Sequence, residues 1–449
     1  MPSHDSPWSP SQLKRMWQFA WPVMLTNLSI PLLSLVDTAL LGHLDNAQQL
    51  GAVAIGGNII AMLLWVFSFL RQGTTGLSAI AYGAEDNLQS TLLLMRSCCL
   101  ALTLSLTLLL AGTWLIPLIS GLVGADAALT PLATRYAELR LLSAPAALLM
   151  MVISGWFLGQ QLPRVALWIV VGTNFLNIGL DIIFISVIGW GAEGAAVATV
   201  IAEYLGLGIA ILALVKHREI LHPAKIEISE LAAGMPALLQ TNQYLFIRTL
   251  LLMGCFLFFT AVGARQGEII LAANAILMNL MLTAAFGLDG ITVATEALVG
   301  ERIGAKDEKG FYRTCITSGV WCAGLASFTT TVFWLLGTEI SGLFTDLESV
   351  RNELAIYLNW LIFLPVAAFL AYVMDGIFIG AGQTKAMRNS MLISTLLVFV
   401  PVYYFAQPLA NHGLWLAFYS WNIARALTLS FTFRQLYKSD GWIDRATHD

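Results

Sequence analysis

The run Ile30-Pro-Leu-Leu-Ser-Leu-Val-Asp37-Thr-Ala-Leu-Leu41 is almost entirely apolar and carries one acidic residue in its second half. Similar runs recur along the chain, because 58% of its 449 residues are hydrophobic and only 11% are charged. A soluble protein carries about a quarter charged residues, so most of this surface must face a solvent other than water. The runs are continuous and do not alternate, which favours membrane-spanning helices over a β-barrel.

Apolar runs of about twenty residues mark the predicted spans. Their approximate bounds are 17–41, 51–71, 92–119, 136–158, 165–189, 194–215, 238–263, 270–299, 313–337, 354–380, 389–407 and 412–436. With both termini cytoplasmic, 16 of the 23 Lys and Arg residues fall on the cytoplasmic side and four on the other side. This distribution follows the positive-inside rule. We therefore predict a multi-pass protein of the plasma membrane, which is the inner membrane in a Gram-negative bacterium.

The two halves of the chain resemble each other. Gly155–Gly159 matches Gly376–Gly380 at an offset of 221 residues, and Gly83–Asp86 matches Gly304–Asp307 at the same offset. Parallel repeats of this kind usually pack about an axis along the membrane normal, with a cavity between them. We predict an all-α membrane protein of about twelve helices in two six-helix bundles, which alternate access by rocking. The predicted parts are residues 1–215, a cytoplasmic linker 216–237, and residues 238–449.

The acid in the first span demands an explanation. An ionised carboxylate near the bilayer centre costs at least ~2.5 kcal/mol even on lenient insertion scales, so Asp37 needs a partner, a cation or a proton. In the fifth span, Asn174, Asn177 and Asp181 are spaced i, i+3, i+7 and share one helix face. Their oxygens suit a hard cation or a proton relay. The alternatives are a structural hydrogen bond for Asp37 and helix-to-helix contacts for the stripe.

Several motifs together resemble one known family. Pro22–Leu44 resembles the first span of the MATE multidrug exporters. Other stretches resemble later parts of the same family; they are Asn177–Phe184, Gly191–Ala196 and Gly300–Asp307. The acid in span one and the Asn and Asp in span five resemble the DinF-like branch. The resemblance implies export of organic cations or other amphiphiles, driven by inward flow of protons or sodium ions.

The resemblance also implies a coupling site. The family's cation-site positions fall on Asp37, Asn177, Asp181 and Thr199. A further family position falls on or near Ser154, where an amide is common. A hydroxyl is a poorer replacement for an amide oxygen, which tilts the prediction toward protons.

We predict that the two acids of this site, Asp37 and Asp181, form the coupling pair, because neighbouring carboxylates in a low dielectric favour holding a proton. Pro22 and Pro31 each remove a backbone hydrogen bond, so a bend in the first span is expected on neutralisation of the acids. The alternative for both prolines is a fixed kink without motion.

The second half has a different set of polar residues. A charge-compensated network is predicted there, with a structural role favoured over a second ion path or a substrate contact; its members are Arg248, Asp289, Glu296, Asp375 and Arg425. The candidate cavity lining is Gln240, Tyr244, Met278 and Met281, since methionine suits varied ligands. Ordinary packing is the alternative for each of these four.

Other functional classes fit less well. No zinc-protease motif and no phosphate-cradling loop occurs in the sequence, which argues against an enzyme and against ATP as the energy source. The net charge of -4 gives no indication of nucleic-acid binding, and the five cysteines lack metal-ligand spacing. We expect a monomer without a cofactor, coupled to H+ or Na+ and acting on small cationic or amphiphilic molecules. The alternatives are a lipid-linked precursor flippase of the wider superfamily and, less favoured, an ion channel.

Overall fold

The computed structural model describes most of the chain. The described residues are 10–42, 47–123, 129–222, 226–439 and 441–442. Within them, the side chains of Pro31 and Asp37 lie outside the description, although both residues belong to the first helix. Every regular element in these ranges is a helix, as predicted.

The first half of the chain forms eight of the helices. They are α1 (Pro10–Gly42), α2 (Ala47–Val66), α3 (Phe69–Gly83), α4 (Asn87–Val123), α5 (Thr130–Leu141), α6 (Ala144–Gly159), α7 (Pro163–Asp181) and α8 (Gly191–Lys216). The linker contains the short helix α9 (Ile228–Ala233). The second half forms α10 (Met235–Arg265), α11 (Glu268–Gly304), α12 (Glu308–Gly342), α13 (Glu348–Gly380), α14 (Thr384–Ile393), α15 (Val400–Ala406) and α16 (Asn411–Lys438).

Each predicted span coincides with a helix or with a run of adjoining helices. In the described ranges, nine such segments are long and apolar enough to cross a membrane, or ten if α5 and α6, which meet at a 50° bend, form one span. Helices α1 and α16 cover the predicted first and last spans. The second span, predicted to end at residue 71, continues to Gly83. The extension, residues 72–83, is rich in buried glycine, alanine, serine and threonine. These small residues allow close helix packing, but they have too little hydropathy to mark a span in a hydropathy window.

The chain separates into two compact units. The first unit is Leu25–Leu239, and the second unit combines Met1–Met24 with Gln240–Asp449. Helix α1 therefore contributes residues to both units. Its early residues belong to the second unit, where Arg15 donates to Glu301 at 2.5 Å and Trp17 stacks on Trp321.

The internal repeat is visible in the backbone. Helices α3 and α11 end 221 residues apart, and so do α6 and α13. Residues with a left-handed backbone recur at the same offset; the pairs are Glu85 with Lys306, Gln161 with Gly382, and Gly189 with Ala410. A Cβ atom at Gly155 would lie 2.6 Å from the Arg71 carbonyl oxygen, and one at Gly376 would lie 2.7 Å from the Thr292 carbonyl oxygen. The same close helix crossing thus occurs in both halves.

Candidate functional site

The polar stripe of α7 contacts two neighbouring helices of the first unit. Asn174 Nδ2 donates to Ser29 Oγ on α1 at 2.8 Å, and Ser29 Oγ donates to the Thr26 carbonyl at 2.7 Å. Ser29 is not among the predicted site residues. A serine eight positions before Asp37 on the same helix is the signal that could have identified it.

The next residues of the stripe are more deeply buried. Asn177 Nδ2 donates to Thr199 Oγ1 on α8 at 3.3 Å, and Thr199 Oγ1 donates to the Ala195 carbonyl at 2.9 Å. The exposed fraction is 1% for Asn177 and 0% for Asp181. The Asn177 Oδ1 atom accepts no hydrogen bond from any described residue. One helical turn therefore presents a buried amide acceptor next to a buried carboxylate.

The backbone changes character directly after the buried acid. Residues Ile182–Val187 form a π-helical turn, and Gly189 and Gly191 then adopt positive φ angles. Gln49 Oε1 accepts a hydrogen bond from the Ala192 amide at 2.8 Å, which satisfies one free donor at the start of α8. Single π-helical turns are frequent at functional sites, but the second unit has one as well, at Ser394–Phe399. The turn ends the α-helical register of the stripe at Asp181.

The remaining predicted site residues are placed as follows. Ser154 is buried on α6, and its Oγ has no hydrogen-bond partner among the described residues, so no described hydrogen bond joins it to Asn177 or Thr199. Asp37 lies on α1, outside the described side chains. Helix α1 continues through both predicted bend positions, Pro22 and Pro31, without a break in its helical assignment.

The second unit has a buried charge cluster centred on one acid. Asp375 Oδ2 on α13 accepts hydrogen bonds from Arg248 Nη2 on α10 at 2.5 Å and from Arg425 Nη2 on α16 at 2.6 Å. The Arg425 guanidinium also lies 4.9 Å from the centre of the Trp421 ring and donates to Asn422 Oδ1 at 3.4 Å. Three membrane helices are thus joined at one carboxylate.

The two other predicted members of this network lie on α11. Asp289, with Asp375, Arg248 and Arg425, is within electrostatic range of the Tyr372 hydroxyl. Glu296 is almost fully buried two turns further along α11. The two buried arginines share the Asp375 carboxylate, which provides charge compensation in a low dielectric.

The four candidate cavity residues divide into two kinds. Gln240 Nε2 donates to the Tyr244 hydroxyl at 2.9 Å, and the Arg388 guanidinium lies 4.4 Å from the centre of the Tyr244 ring. Met281 is buried in the hydrophobic core of the second unit, and Met278 packs against that core. The surroundings of the two methionines are therefore those of ordinary core packing.

The described helices offer no cluster of metal ligands. In the described ranges, no group of three or more His, Cys, Asp or Glu side chains could hold a metal ion. All five cysteines are free thiols.

Comparisons with known proteins agree on one family. The MatE family profile matches residues 22–183 and 245–405, one segment in each half. The chain is 37% identical over 437 residues to DNA damage-inducible protein F of Escherichia coli strain K12, covering 96% of this chain and 94% of that protein. It is 27% identical over 200 residues to the probable multidrug resistance protein NorM of Acinetobacter baylyi, covering 44% of each. The crystal structure of the eukaryotic MATE transporter AtDTX14 has the same fold, with a TM-score of 0.87 at 18% identity over 98% of both chains.

Proposed function

This chain belongs to the MatE family of membrane transporters, and we propose that it is a secondary exporter of cationic and amphiphilic small molecules, driven by inward flow of H+ or Na+. Its relatives are transporters and not enzymes, in agreement with the sequence analysis. The NorM relative is named a probable multidrug resistance protein, which supports small amphiphilic drugs as substrates. Localisation in the bacterial inner membrane, cytoplasmic termini, six-helix bundle boundaries at 215 and 238, and a monomeric state are parts of the same proposal.

The observation that carries the proposal is the buried turn from Asn177 to Asp181. An amide oxygen without a described hydrogen-bond partner costs about 1–3 kcal/mol when it is buried, and Asn177 Oδ1 is such an atom. A proton on Asp181 would let that carboxyl group donate to the Asn177 oxygen, and a small cation beside the oxygen would also satisfy it. Thr199 Oγ1, held by Asn177, supplies another oxygen nearby.

The register of α1 against α7 supports Asp37 as the second coupling acid. Asn174 binds Ser29, and the predicted topology makes both helices run in the same direction. Asp181 follows Asn174 by seven residues and Asp37 follows Ser29 by eight, which is about 11–12 Å of helix in each case. The two acids then lie at a similar depth in the membrane.

The proposed coupling step acts through α1. Neutralising the acids removes the electrostatic repulsion between the two carboxylates. The later residues of α1 can then change their packing in the first unit. Because α1 also contributes residues to the second unit, we propose that this helix transmits ion binding to the alternating-access movement. A bend at Pro22 or Pro31 is the proposed form of that response. The hydroxyl at Ser154, in place of an amide, makes the proton the favoured coupling ion.

The flippase alternative needs a cationic cavity for a pyrophosphate group. Of its three candidate arginines, Arg248 and Arg425 both bind Asp375. Of these three arginines, Arg71 is then the one without a described partner, which is fewer free cations than a pyrophosphate-binding cavity would require. The exporter is therefore the function that the site supports best.

The test is efflux from proteoliposomes with a pH gradient and a sodium gradient imposed separately. We expect a fluorescent organic cation to leave the vesicles against its concentration gradient under one of the two gradients. The variants Asp37→Asn and Asp181→Asn should each lose this uphill movement. Uphill efflux retained by both variants would overturn the coupling assignment, and movement of lipid-linked sugar without drug efflux would favour the flippase.

A further inference from the structure

Arg71 is an intramembrane charge that the proposed coupling site does not use. It lies on α3 inside the span Gln48–Gly83, which is 36 residues long. About 18 Å of helix separate it from Gly83, and it is about 8 Å from the middle of the span. Because the hydrocarbon core is about 30 Å thick, a centred span places this side chain within the hydrocarbon depth.

The Arg71 guanidinium has no protein partner in the described part of the chain. The side chain is partly exposed, and no hydrogen bond, ion pair or ring contact involves it there. Other arginines of the membrane helices differ. Arg248 and Arg425 bind Asp375, and Arg140 binds Glu203 at 3.1 Å.

The backbone at Arg71 is held firmly. Gly155 of α6 packs against its carbonyl group so closely that a Cβ atom would come within 2.6 Å. Thr75 Oγ1 donates to the same carbonyl at 2.8 Å. The side chain therefore starts from a fixed position, and a ligand that it binds does not have to order the backbone.

The repeat shows what this crossing carries in the other half. At the offset of 221 residues, Arg71 corresponds to Thr292, Gly155 to Gly376, and Ser154 to Asp375. In the second unit the crossing carries an acid, which two protein arginines neutralise. In the first unit it carries a cation, and the position of the acid is occupied by the neutral Ser154. No side chain in the described ranges supplies a counter-charge for Arg71.

A charged arginine facing hydrocarbon costs about 2.5–3.5 kcal/mol on insertion scales, so intramembrane arginines face the bundle interior or a water-filled cavity. A guanidinium in that setting is a fork of donors matched to a carboxylate, which it binds with two parallel hydrogen bonds. We propose that Arg71 binds the carboxylate of a transported amphiphile. The substrates of this exporter then include zwitterionic and anionic amphiphiles as well as cations. The inference rests on the proposed export function and specifies its substrate class.

The experiment compares a xanthene dye that carries a free carboxylate with its methyl ester. Binding of each dye to the full-length detergent-solubilised protein is measured by fluorescence anisotropy, so that the readout does not depend on an ion gradient. We expect Arg71→Gln to weaken binding of the acid about tenfold, the loss of one charge-assisted bidentate contact. Binding of the ester should change less than twofold. Arg71→Lys should fall between, since it keeps the charge and loses the fork.

The matched control is Arg135→Gln, which removes an arginine that is exposed and makes only a 3.6 Å pair with Glu193. It should leave both dyes unaffected. Monodisperse gel filtration shows that a variant is folded, and if Arg71→Gln fails this check, the acid-to-ester ratio of Arg71→Lys decides.

Three results would overturn the inference. Equal weakening of acid and ester would make Arg71 a structural residue. Unchanged acid binding would mean that solvent supplies the counter-charge. If Arg71→Gln lost binding of phosphatidylglycerol and kept binding of both dyes, Arg71 would be assigned to a lipid headgroup. Absence of efflux by the wild-type protein under either gradient would count against the proposed export function, and the binding comparison would still test Arg71.

Discussion

Asp181 in the first unit and Asp375 in the second unit are both buried acids of membrane helices, but their surroundings differ. Asp181 lies one helical turn after Asn177, whose Oδ1 accepts no hydrogen bond from a described residue, and a π-helical turn begins directly after Asp181. Asp375 is held by two arginines within 2.6 Å. In the proposed function the first arrangement takes up a proton or a cation, whereas two protein arginines neutralise the acid of the second. Burial of an acid therefore does not by itself identify a coupling site.

The repeat makes this comparison stricter. The second-half counterparts of Asn177 and Asp181 are Val398 and Val402, and the first-half counterpart of Asp375 is Ser154. Asp181 and Asp375 therefore each lie where the other half has an uncharged residue. The scaffold was duplicated, and the polar chemistry was not.

The largest effect is expected when the acid of the first unit is neutralised. Asp181→Asn should abolish gradient-driven efflux, because the amide can neither take up nor release a proton. Efflux rates in proteoliposomes measure this. Asp346→Asn is the matched control, since its side chain is fully exposed, and it should transport normally. Coupled efflux by Asp181→Asn would remove the functional distinction between the two acids.

The next prediction compares the matched positions 154 and 375. Asp375→Ala leaves two buried arginines without their shared partner and should lower the free energy of unfolding by about 3–5 kcal/mol. Ser154→Ala should cost less than about 1 kcal/mol, because its hydroxyl makes no described hydrogen bond. Thermal unfolding in detergent, followed by tryptophan fluorescence, gives both values. Similar losses at the two positions would show that the cluster is not what stabilises the second unit.

A smaller effect is expected where the linker meets the first unit. Arg96 donates to the carbonyl groups of Glu230 at 2.6 Å and Leu231 at 3.0 Å, and so holds α9. Its second-half counterpart, Thr317, donates to the Arg313 carbonyl of its own helix at 2.9 Å.

Arg96→Ala should destabilise the docked linker by about 1.5–3 kcal/mol, as expected for hydrogen bonds from a charged donor. Hydrogen exchange of the amides in 226–234 should accelerate, with Thr317→Ala as the control. Unchanged exchange in Arg96→Ala would show that α9 is held by other contacts.

The smallest predicted effect concerns Thr199. Its bond with Asn177 is long, at 3.3 Å, so Thr199→Ala should cost about 0.5–1.5 kcal/mol. If its oxygen also faces the coupling ion, the concentration of that ion needed for half-maximal efflux should rise a few-fold. Thr199→Ser keeps the hydroxyl and should behave as the wild type. A variant Thr199→Ala with unchanged ion dependence would limit the ion site to the amide and carboxylate groups.

Much of the fold could be predicted from the sequence. The positions of the spans follow from the length of apolar runs, and the repeat follows from a constant offset between glycine-containing motifs. The common face of Asn174, Asn177 and Asp181 follows from helical periodicity. Periodicity does not identify the residues that a helix face contacts. Of the two partners, Thr199 was predicted from the family resemblance, and Ser29 was not predicted.

Four properties follow from the sequence alone: the membrane as the solvent, the helical class, the duplication and the residues that carry charge into the membrane. Each of these depends on composition or on spacing along one chain. Only the tertiary structure decided that Asp375 takes both arginines, that Arg71 has no described partner, and that α1 contributes to both units. These properties depend on distances between helices far apart in sequence, where a shift of one helical turn exchanges one neighbour for another.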